Sequence, residues 1–205
     1  MSTQLVATVA GLPISVNEID SAEARLRSGA HAAALPAGGT SEGRQLRRWL
    51  TQLIVTEVVV AAEAAARGLT GREAPTETEL LPDLTARLEI GSVAAAVLAD
   101  PRARALFADV TATVQVTDDD VADYHARNPR RFAAPRRGSD GWRVPSPVSP
   151  SLEEVQSVIT EHLRSAARRR AFRVWLDARR AALVQLAPGY EHPGDPRQPD
   201  NTHRH

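Results

Sequence analysis

The sequence predicts a mainly α-helical protein with a small two-stranded β element and a long C-terminal helix. Apolar residues recur at intervals of three and four over residues 41–67 and again over 151–186, which is the spacing of a helix with one buried face. Only residues 5–9 and 111–116 alternate their side chains as strands do. A chain of 205 residues is long enough for one domain with its own core.

The N-terminal segment is predicted to form a strand, a turn and a helix. Leu5–Val9 alternates, a Gly-Leu-Pro turn follows, and Ser15 or Asn17 caps a helix of about three turns. Residues 28–40 are rich in Ala and Gly and are predicted to be a loop or a frayed helix. The strongest helical pattern comes next, over residues 41–67, and a glycine in a left-handed cap is expected to end it.

The middle of the chain is predicted to hold several helices and the second strand. A short acidic helix over 76–81 stops at a proline, and residues 83–99 keep helical spacing before Asp100-Pro101 restarts the helix. Residues 111–116 alternate β-branched side chains and are predicted to pair with the N-terminal strand. Thr117, followed by three aspartates, caps a further helix that is expected to end at an Asn-Pro pair.

The C-terminal part begins with a change of composition. Residues 133–150 contain four prolines and two glycines and are predicted to form a connector. Ser151-Leu-Glu-Glu154 is a capping box, and the helix that it starts meets no Gly or Pro before about Leu186. At about 1.5 Å per residue this helix is about 50 Å long. We therefore expect part of it to project from the rest of the protein or to curl around it.

The composition excludes several classes of function. The 25 basic and 25 acidic side chains balance, yet residues 111–205 carry 15 arginines against 12 acids. Every basic residue is arginine, which rules out a Schiff-base or P-loop lysine, and the lack of cysteine rules out thiolate chemistry. The apolar stretches are short and the N-terminus does not resemble an export signal. We therefore expect a cytoplasmic protein that does not enter the membrane.

Three segments, in this order, resemble the helical chaperone part of SurA and of parvulin-type peptidyl-prolyl isomerases. They are Val9-Ala-Gly-Leu-Pro-Ile-Ser15 with Glu18, the helix over 53–69 that ends in Ala-Arg-Gly-Leu, and residues 114–132, which end in Asn-Pro-Arg-Arg-Phe. In that family a parvulin domain of about a hundred residues follows this last segment. Here the Arg-rich helix returns after about twenty residues. The resemblance implies a helical cradle that holds unfolded or hydrophobic partners, with no isomerase domain and no prolyl isomerase activity.

The tail from Tyr190 to His205 resembles the ends of actinobacterial proteins encoded near aromatic polyketide genes, some of them labelled malonyltransferase. Malonyl transfer needs an activated serine on a G-x-S-x-G elbow between a strand and a helix. The G-x-S-x-G match in the chain, Gly39-Thr-Ser-Glu-Gly43, follows the predicted loop over 28–40 and not a strand. We therefore do not expect malonyltransferase activity. The resemblance implies a role in polyketide or antibiotic biosynthesis, with a small aromatic or polyketide-like ligand.

Half of the six histidines lie in this tail and are candidate metal ligands. His203 and His205 are two residues apart, so in an extended segment both point to the same side. Together with His192 and either Asp195 or Asp200 they would form a histidine and carboxylate set suited to Zn²⁺, Fe²⁺ or Mn²⁺. The alternatives are a tail that docks without a metal and a flexible tail whose histidines have no role.

Tyr124 and His125, on the predicted helix after Thr117, are candidate catalytic residues. A histidine with a neighbouring acid such as Asp123 can act as a general base near neutral pH. The alternative is a structural role, which is also the expectation for His162 on the long helix.

The long helix carries seven arginines between Arg164 and Arg180. Arg168, Arg169 and Arg173 are candidate contacts for the phosphate groups of coenzyme A or of an acidic, phosphopantetheinyl carrier protein. The alternative is that these arginines pair with acidic residues of the N-terminal half. A net charge of zero without a recognition motif does not favour nucleic acid as a partner.

These observations predict a scaffold whose cradle binds an aromatic ligand and acts as a tailoring enzyme in cyclisation, hydrolysis or oxygenation. The rival hypothesis is a cytoplasmic holdase chaperone or assembly factor without turnover. Long clasping helices also allow a swapped homodimer. The expected organisation is an N-terminal helical domain over 1–132, a connector over 133–150, a long helix over 151–187 that packs on the N-terminal part, and a tail over 188–205.

Overall fold

The described part of the chain consists of helices arranged around one small antiparallel sheet. A computed structural model describes residues 4–30, 32–129, 131, 150–188 and 190. In chain order the strands and α-helices are β1 Leu5–Val9, β2 Leu12–Ser15, α1 Val16–Arg27, α2 Ser41–Ala66, α3 Glu77–Leu80, α4 Leu84–Ile90, α5 Ser92–Val97, α6 Pro101–Val110, α7 Asp118–Arg127, α8 Leu152–Leu183 and β3 Val184–Leu186, with a 3₁₀ turn over Ala32–Ala34. This architecture confirms the predicted fold class, which is mainly α with a small β element and a long C-terminal helix.

Strand β1 lies at the centre of the sheet, between β2 and β3, and is antiparallel to both. A two-residue turn joins β1 to β2. Both of its residues, Ala10 and Gly11, have positive φ angles, of 48° and 83°. Such a turn matches the right-handed twist of the two strands that it connects. The predicted N-terminal strand is therefore confirmed, but the turn lies one residue earlier than the predicted Gly-Leu-Pro turn, because Leu12 and Pro13 belong to β2. The sheet has three strands rather than two.

Residues 111–116 do not form the predicted second strand. Thr111 ends α6, where its hydroxyl donates to the carbonyl of Phe107 at 2.7 Å, and the residues after it form a turn and an irregular link to α7. The other partner of β1 is β3, whose residues the helical pattern places in the last turn of the long helix. A backbone bond from Ala10 N–H to the Leu183 carbonyl at 2.8 Å joins the helix end to the sheet. Neither Gly nor Pro stands at the boundary between α8 and β3. The pairing of β3 with β1 sets this boundary instead.

The predicted helix starts are confirmed, and one predicted helix is divided. The Thr117 hydroxyl accepts from the N–H of Asp120 at 3.1 Å, and the Ser151 hydroxyl accepts from that of Glu154 at 3.4 Å. Residues 83–99 were expected to keep one helical path, but Gly91 has a φ of 91° and separates α4 from α5. A residue with this φ cannot continue an α-helix.

Helix α2 is the centre of the main core, where it packs on α1, α5, α6 and β1. By length and composition α2 could also cross a membrane, since an 18-residue window has a mean hydropathy of 1.4. Half of that window is buried inside the protein, and the core helix of a soluble protein passes the same test. The burial of α2 explains its hydropathy without a membrane.

Helix α8 contributes to two separate apolar clusters. Its C-terminal half enters the main core, where the ring of Phe172 lies 5.1 Å from that of Phe107. Its N-terminal half instead packs on α7 in a second cluster formed by Val121, Val155 and Ile159. The two halves of this long helix are therefore covered by different elements, the C-terminal half by the main core and the N-terminal half by α7.

Candidate functional site

A cleft of about 750 Å³ opens between α4, α7 and the N-terminal half of α8. The second apolar cluster positions α7 against α8, and α4 also packs against α8. We call this space the α4–α7–α8 cleft. Its walls combine polar groups with apolar side chains, and the apolar lining consists of Pro82, Ala86, Val158, Leu163 and Ala166.

Two rings that face the cleft are joined by a hydrogen bond. The Tyr124 hydroxyl on α7 lies 3.2 Å from Nε2 of His162 on α8, and the two ring centroids are 5.5 Å apart. The guanidinium of Arg131 lies over the Tyr124 ring, 5.9 Å from its centroid. This arrangement brings a hydroxyl, an imidazole and a cation together at one wall of the cleft.

His162 is held in its neutral form near neutral pH. Partial burial lowers the pKa of its imidazole, and the positive charges of Arg131 and Arg169 lower it further. The carboxylates of Glu89 and Asp83 act in the opposite direction without reversing the shift. A neutral imidazole can accept a proton at Nε2, so the Tyr124–His162 pair is suited to acid–base chemistry.

An ion pair between α8 and α4 forms another wall of the cleft. Arg169 donates from Nε to the carboxylate of Glu89 at 2.8 Å and from a terminal nitrogen to the carbonyl of Leu80 at 3.3 Å. Only 6% of the Arg169 side chain is exposed, against 40% for Glu89. Arg169 therefore fixes the spacing of α4 and α8 and with it the width of the cleft.

A second cavity of about 550 Å³ adjoins the cleft along α8. The two spaces share four lining residues, which are Glu89, Tyr124, Leu163 and Ala166. The second cavity is also lined by three arginines, Arg127, Arg170 and Arg173. Tyr124 therefore lies between a mixed apolar and polar cleft and a cationic cavity.

The predicted catalytic residues are placed in different surroundings. Tyr124 faces the cleft, but the ring of His125 turns away to the carbonyl of Pro150, 2.9 Å from its Nε2. Consecutive residues on an α-helix point about 100° apart, so Tyr124 and His125 do not face one site. The histidine within hydrogen-bonding distance of Tyr124 is His162, for which the expected role is structural.

The predicted metal ligands, namely His192, Asp195, Asp200, His203 and His205, lie outside the described residues. Among the residues that are described, no group of three or more His, Asp or Glu side chains is arranged to hold a metal ion. The Zn²⁺, Fe²⁺ or Mn²⁺ site therefore stays a prediction about the tail.

The predicted phosphate contacts differ in what they touch. Arg168 donates to the hydroxyl of Thr111 at 2.8 Å and covers the ring of Phe107. Arg169 is largely buried and pairs with Glu89, although it also lines the α4–α7–α8 cleft, and its predicted phosphate contact stays a prediction. Arg173 is exposed and donates to the backbone carbonyl of Glu89 at 3.2 Å, which leaves it accessible from the second cavity.

Two residues of the site, His162 and Arg170, were not selected from the sequence, the first because it was expected to be structural and the second because it was one of seven arginines. One signal in the sequence points to them. Arg170 lies four residues after Ala166 and seven after Leu163, so the three share one face of α8. His162 is one residue before Leu163 and lies at the edge of that face. Helical spacing therefore groups these residues, but it cannot show that α7 brings Tyr124 to them.

Comparison with known proteins gives one partial match. The model of a family of unknown function (DUF7158) matches residues 5–42, which span β1, β2, α1 and the start of α2. No curated protein and no solved structure matches the chain. The matched segment includes the strand, turn and capped helix of the N-terminal end and none of the residues that line the cleft.

Proposed function

We propose that the protein binds a small aromatic, polyketide-like ligand in the α4–α7–α8 cleft and serves its biosynthesis in the cytoplasm. The observation that carries this proposal is the Tyr124–His162 pair in an open space of about 750 Å³. Ligand sites commonly have volumes of about 300–1,000 Å³ and combine apolar walls with a few polar groups. The scaffold would be a SurA-like helical cradle without an isomerase domain, closed by α8.

In this proposal the Tyr124–His162 pair moves a proton. The Tyr124 oxygen takes a proton from the carbon between two ligand carbonyls, while its own hydroxyl proton passes to Nε2 of His162. The resulting enolate attacks another carbonyl of the same ligand, and the new carbon–carbon bond closes a ring. The proton then returns from His162 through Tyr124 to the alkoxide that forms. The reaction class is acid–base catalysed cyclisation, which requires no redox partner.

Binding and proton transfer can be tested separately on the full chain. Isothermal titration calorimetry with dihydroxyanthraquinone measures binding, and NMR in D₂O measures deuterium uptake at the methylene of benzoylacetone. We expect binding in the wild type and deuterium uptake faster than in buffer. Tyr124→Phe and His162→Gln each remove one hydrogen bond, worth about 1 kcal/mol, so each is expected to weaken binding about fivefold. Either substitution is also expected to remove the faster deuterium uptake.

The matched control is His125→Gln, which changes a histidine on α7 that faces away from the cleft. Circular dichroism of each variant shows whether it is folded. If His162→Gln and His125→Gln have the same effect, the pair is not the site. If dihydroxyanthraquinone does not bind to the wild type, a flat aromatic ligand in the cleft is ruled out.

A second candidate function is that of a holdase, and exposed apolar side chains favour it. Leu84 and Leu88 are 70% and 71% exposed, and they lie one turn apart on the solvent side of α4. Val158, at the cleft edge on α8, is 54% exposed. Exposed apolar side chains beside a groove are a feature of surfaces that bind proteins.

Suppression of aggregation distinguishes the two candidates. A holdase keeps a thermally unfolded protein in solution at near-equal molar ratio, and light scattering follows this directly. Leu84→Ser with Leu88→Ser would abolish the effect of a holdase and leave anthraquinone binding unchanged. If the cleft serves a small ligand, His162→Gln would weaken anthraquinone binding and leave the suppression of aggregation unchanged.

A further inference from the structure

The cavity beside the cleft has an excess of positive charge. Its lining includes the guanidinium groups of Arg127, Arg170 and Arg173 and the carboxylates of Asp120 and Glu89. Neither Arg170 nor Arg173 has a carboxylate partner within ion-pair distance in the described part of the chain. Arg127 donates to the backbone carbonyl of Asp123 at 3.0 Å and has a long carboxylate contact of 3.8 Å to the same residue, which does not line the cavity.

Both carboxylates of the cavity already have other partners. Glu89 pairs with the buried Arg169 at 2.8 Å. Asp120 accepts from the backbone N–H and from the hydroxyl of Thr117, at 3.0 and 2.7 Å, as part of the cap of α7. The hydrogen bonds from Thr117 do not cancel the charge of Asp120, so the lining has three guanidinium groups against the one carboxylate that Arg169 does not pair. This excess of positive charge attracts an anion.

One face of α8 changes from apolar to cationic along the helix axis. Leu163, Ala166 and Ala167 line the cavity at one end, and Arg170 and Arg173 line it at the other. These positions follow the spacing of three and four residues that puts side chains on one face. The two alanines leave room above the helix that a larger side chain would fill. A ligand with an apolar body and an acidic end matches this change of character.

We propose that this cavity binds the anionic group of the ligand whose aromatic body occupies the α4–α7–α8 cleft, with Arg170 and Arg173 as its main contacts. This inference rests on the proposed function, because it assigns the acidic end of the same ligand. The shared lining residues, Tyr124 among them, allow one molecule to occupy both spaces. The recognised group is an oxyanion, either a planar carboxylate or a tetrahedral group such as a sulfonate or phosphate. Guanidinium groups bind both geometries through paired N–H donors.

Binding of three matched probes tests the inference on the full chain. The probes are anthraquinone carboxylate, its neutral methyl ester and anthraquinone sulfonate, each titrated by calorimetry at low and high salt. We expect the wild type to bind at least one of the two anions about tenfold more tightly than the ester, with a preference that falls as salt screens the charges. The anion that binds more tightly shows whether the site recognises a planar carboxylate or a tetrahedral oxyanion.

Substitutions then locate the anion. Arg170→Gln and Arg173→Gln are each expected to weaken anion binding about fivefold and to leave ester binding unchanged. The control is Arg164→Gln, which removes the same charge from an exposed position on α8 that pairs with Glu161 and does not line the cavity. It is expected to keep the preference for the anion.

The outcomes separate this inference from the proposed function. Equal binding of the ester and both anions by the wild type would overturn the anion site and leave the aromatic site standing. An anion preference that survives in both Arg170→Gln and Arg173→Gln would also overturn it. If none of the three probes binds, the proposed function fails and the anion site fails with it.

Discussion

Replacing Glu89 by glutamine is expected to destabilise the protein more than replacing its partner Arg169 by methionine. The two side chains form an ion pair at 2.8 Å, but Arg169 is 6% exposed and Glu89 is 40% exposed. The Arg169 guanidinium also donates to the carbonyl of Leu80 at 3.3 Å. The pair thus joins a buried cation on α8 to a partly solvated anion on α4, and the two substitutions leave different groups behind.

The magnitudes follow from what each substitution leaves unpaired. Glu89→Gln leaves a buried guanidinium without a counter-charge, and breaking such a pair costs about 3–5 kcal/mol. The glutamine oxygen still accepts a hydrogen bond, so we expect the free energy of unfolding to fall by about 3 kcal/mol, the lower end of that range. Arg169→Met leaves a carboxylate that water can reach. We therefore expect only the loss of the charge-assisted hydrogen bonds, about 1.5 kcal/mol.

Urea unfolding followed by circular dichroism at neutral pH measures both losses, provided that the m-value is unchanged. The double variant is expected to be about as stable as Arg169→Met alone, because the charge of Glu89 matters only while Arg169 is present. The control is Arg87→Met, in an exposed pair with Glu77, with an expected loss below about 1 kcal/mol. If Glu89→Gln costs no more than Arg169→Met, the buried cation does not depend on this carboxylate and the reasoning is wrong.

Three further predictions use the same unfolding measurement. The folded protein holds the pKa of His162 below its ordinary value of about 6.5. The neutral ring therefore stabilises the fold above that pH, and the stabilisation is lost as the pH falls through the folded pKa, more steeply than in His162→Gln. Gly91→Ala puts a side chain on a residue with a φ of 91° and is expected to lower the free energy of unfolding by about 1–3 kcal/mol. Its control, Gly38→Ala, is expected to change it very little. Phe172→Ala removes a fully buried ring and is expected to cost about 3–5 kcal/mol. Val174→Ala, at a site 61% exposed, is expected to stay within about 0.5 kcal/mol.

Local signals in the sequence were sufficient for most of the helices. Thr117 and Ser151 start α7 and α8 because their hydroxyls satisfy backbone N–H groups of the first turn, and this chemistry needs only neighbouring residues. The end of α8 depends on a distant partner, because β3 pairs with β1, almost the whole length of the chain away. The error over residues 111–116 has the same origin. Their alternation suits a strand, but β3 occupies the free edge of β1.

In the candidate site too, some features follow from neighbouring residues and others depend on a distant part of the chain. Tyr124 could be selected from its own helix, whereas its partner could not, since His162 lies 38 residues further along and on another element. Only the packing of Val121 on Val155 and Ile159 brings the two rings together. A pattern along one helix shows which residues share a face and gives no information about the element opposite.

The arginines of α8 connect the fold to the proposed function. The sequence shows seven of them in the half of the chain with excess positive charge, and pairing with the acidic N-terminal half was one of the two interpretations. Arg169 binds Glu89 on α4 and Arg179 binds Glu63 on α2, so those two hold the long helix on the N-terminal elements. Arg170 and Arg173 have no such acid partner in the described part of the chain and line a cavity next to Tyr124. The two interpretations therefore apply to different arginines of one helix. Those that face the core or its acids maintain the structure, and the pair beside the cleft is available to a ligand.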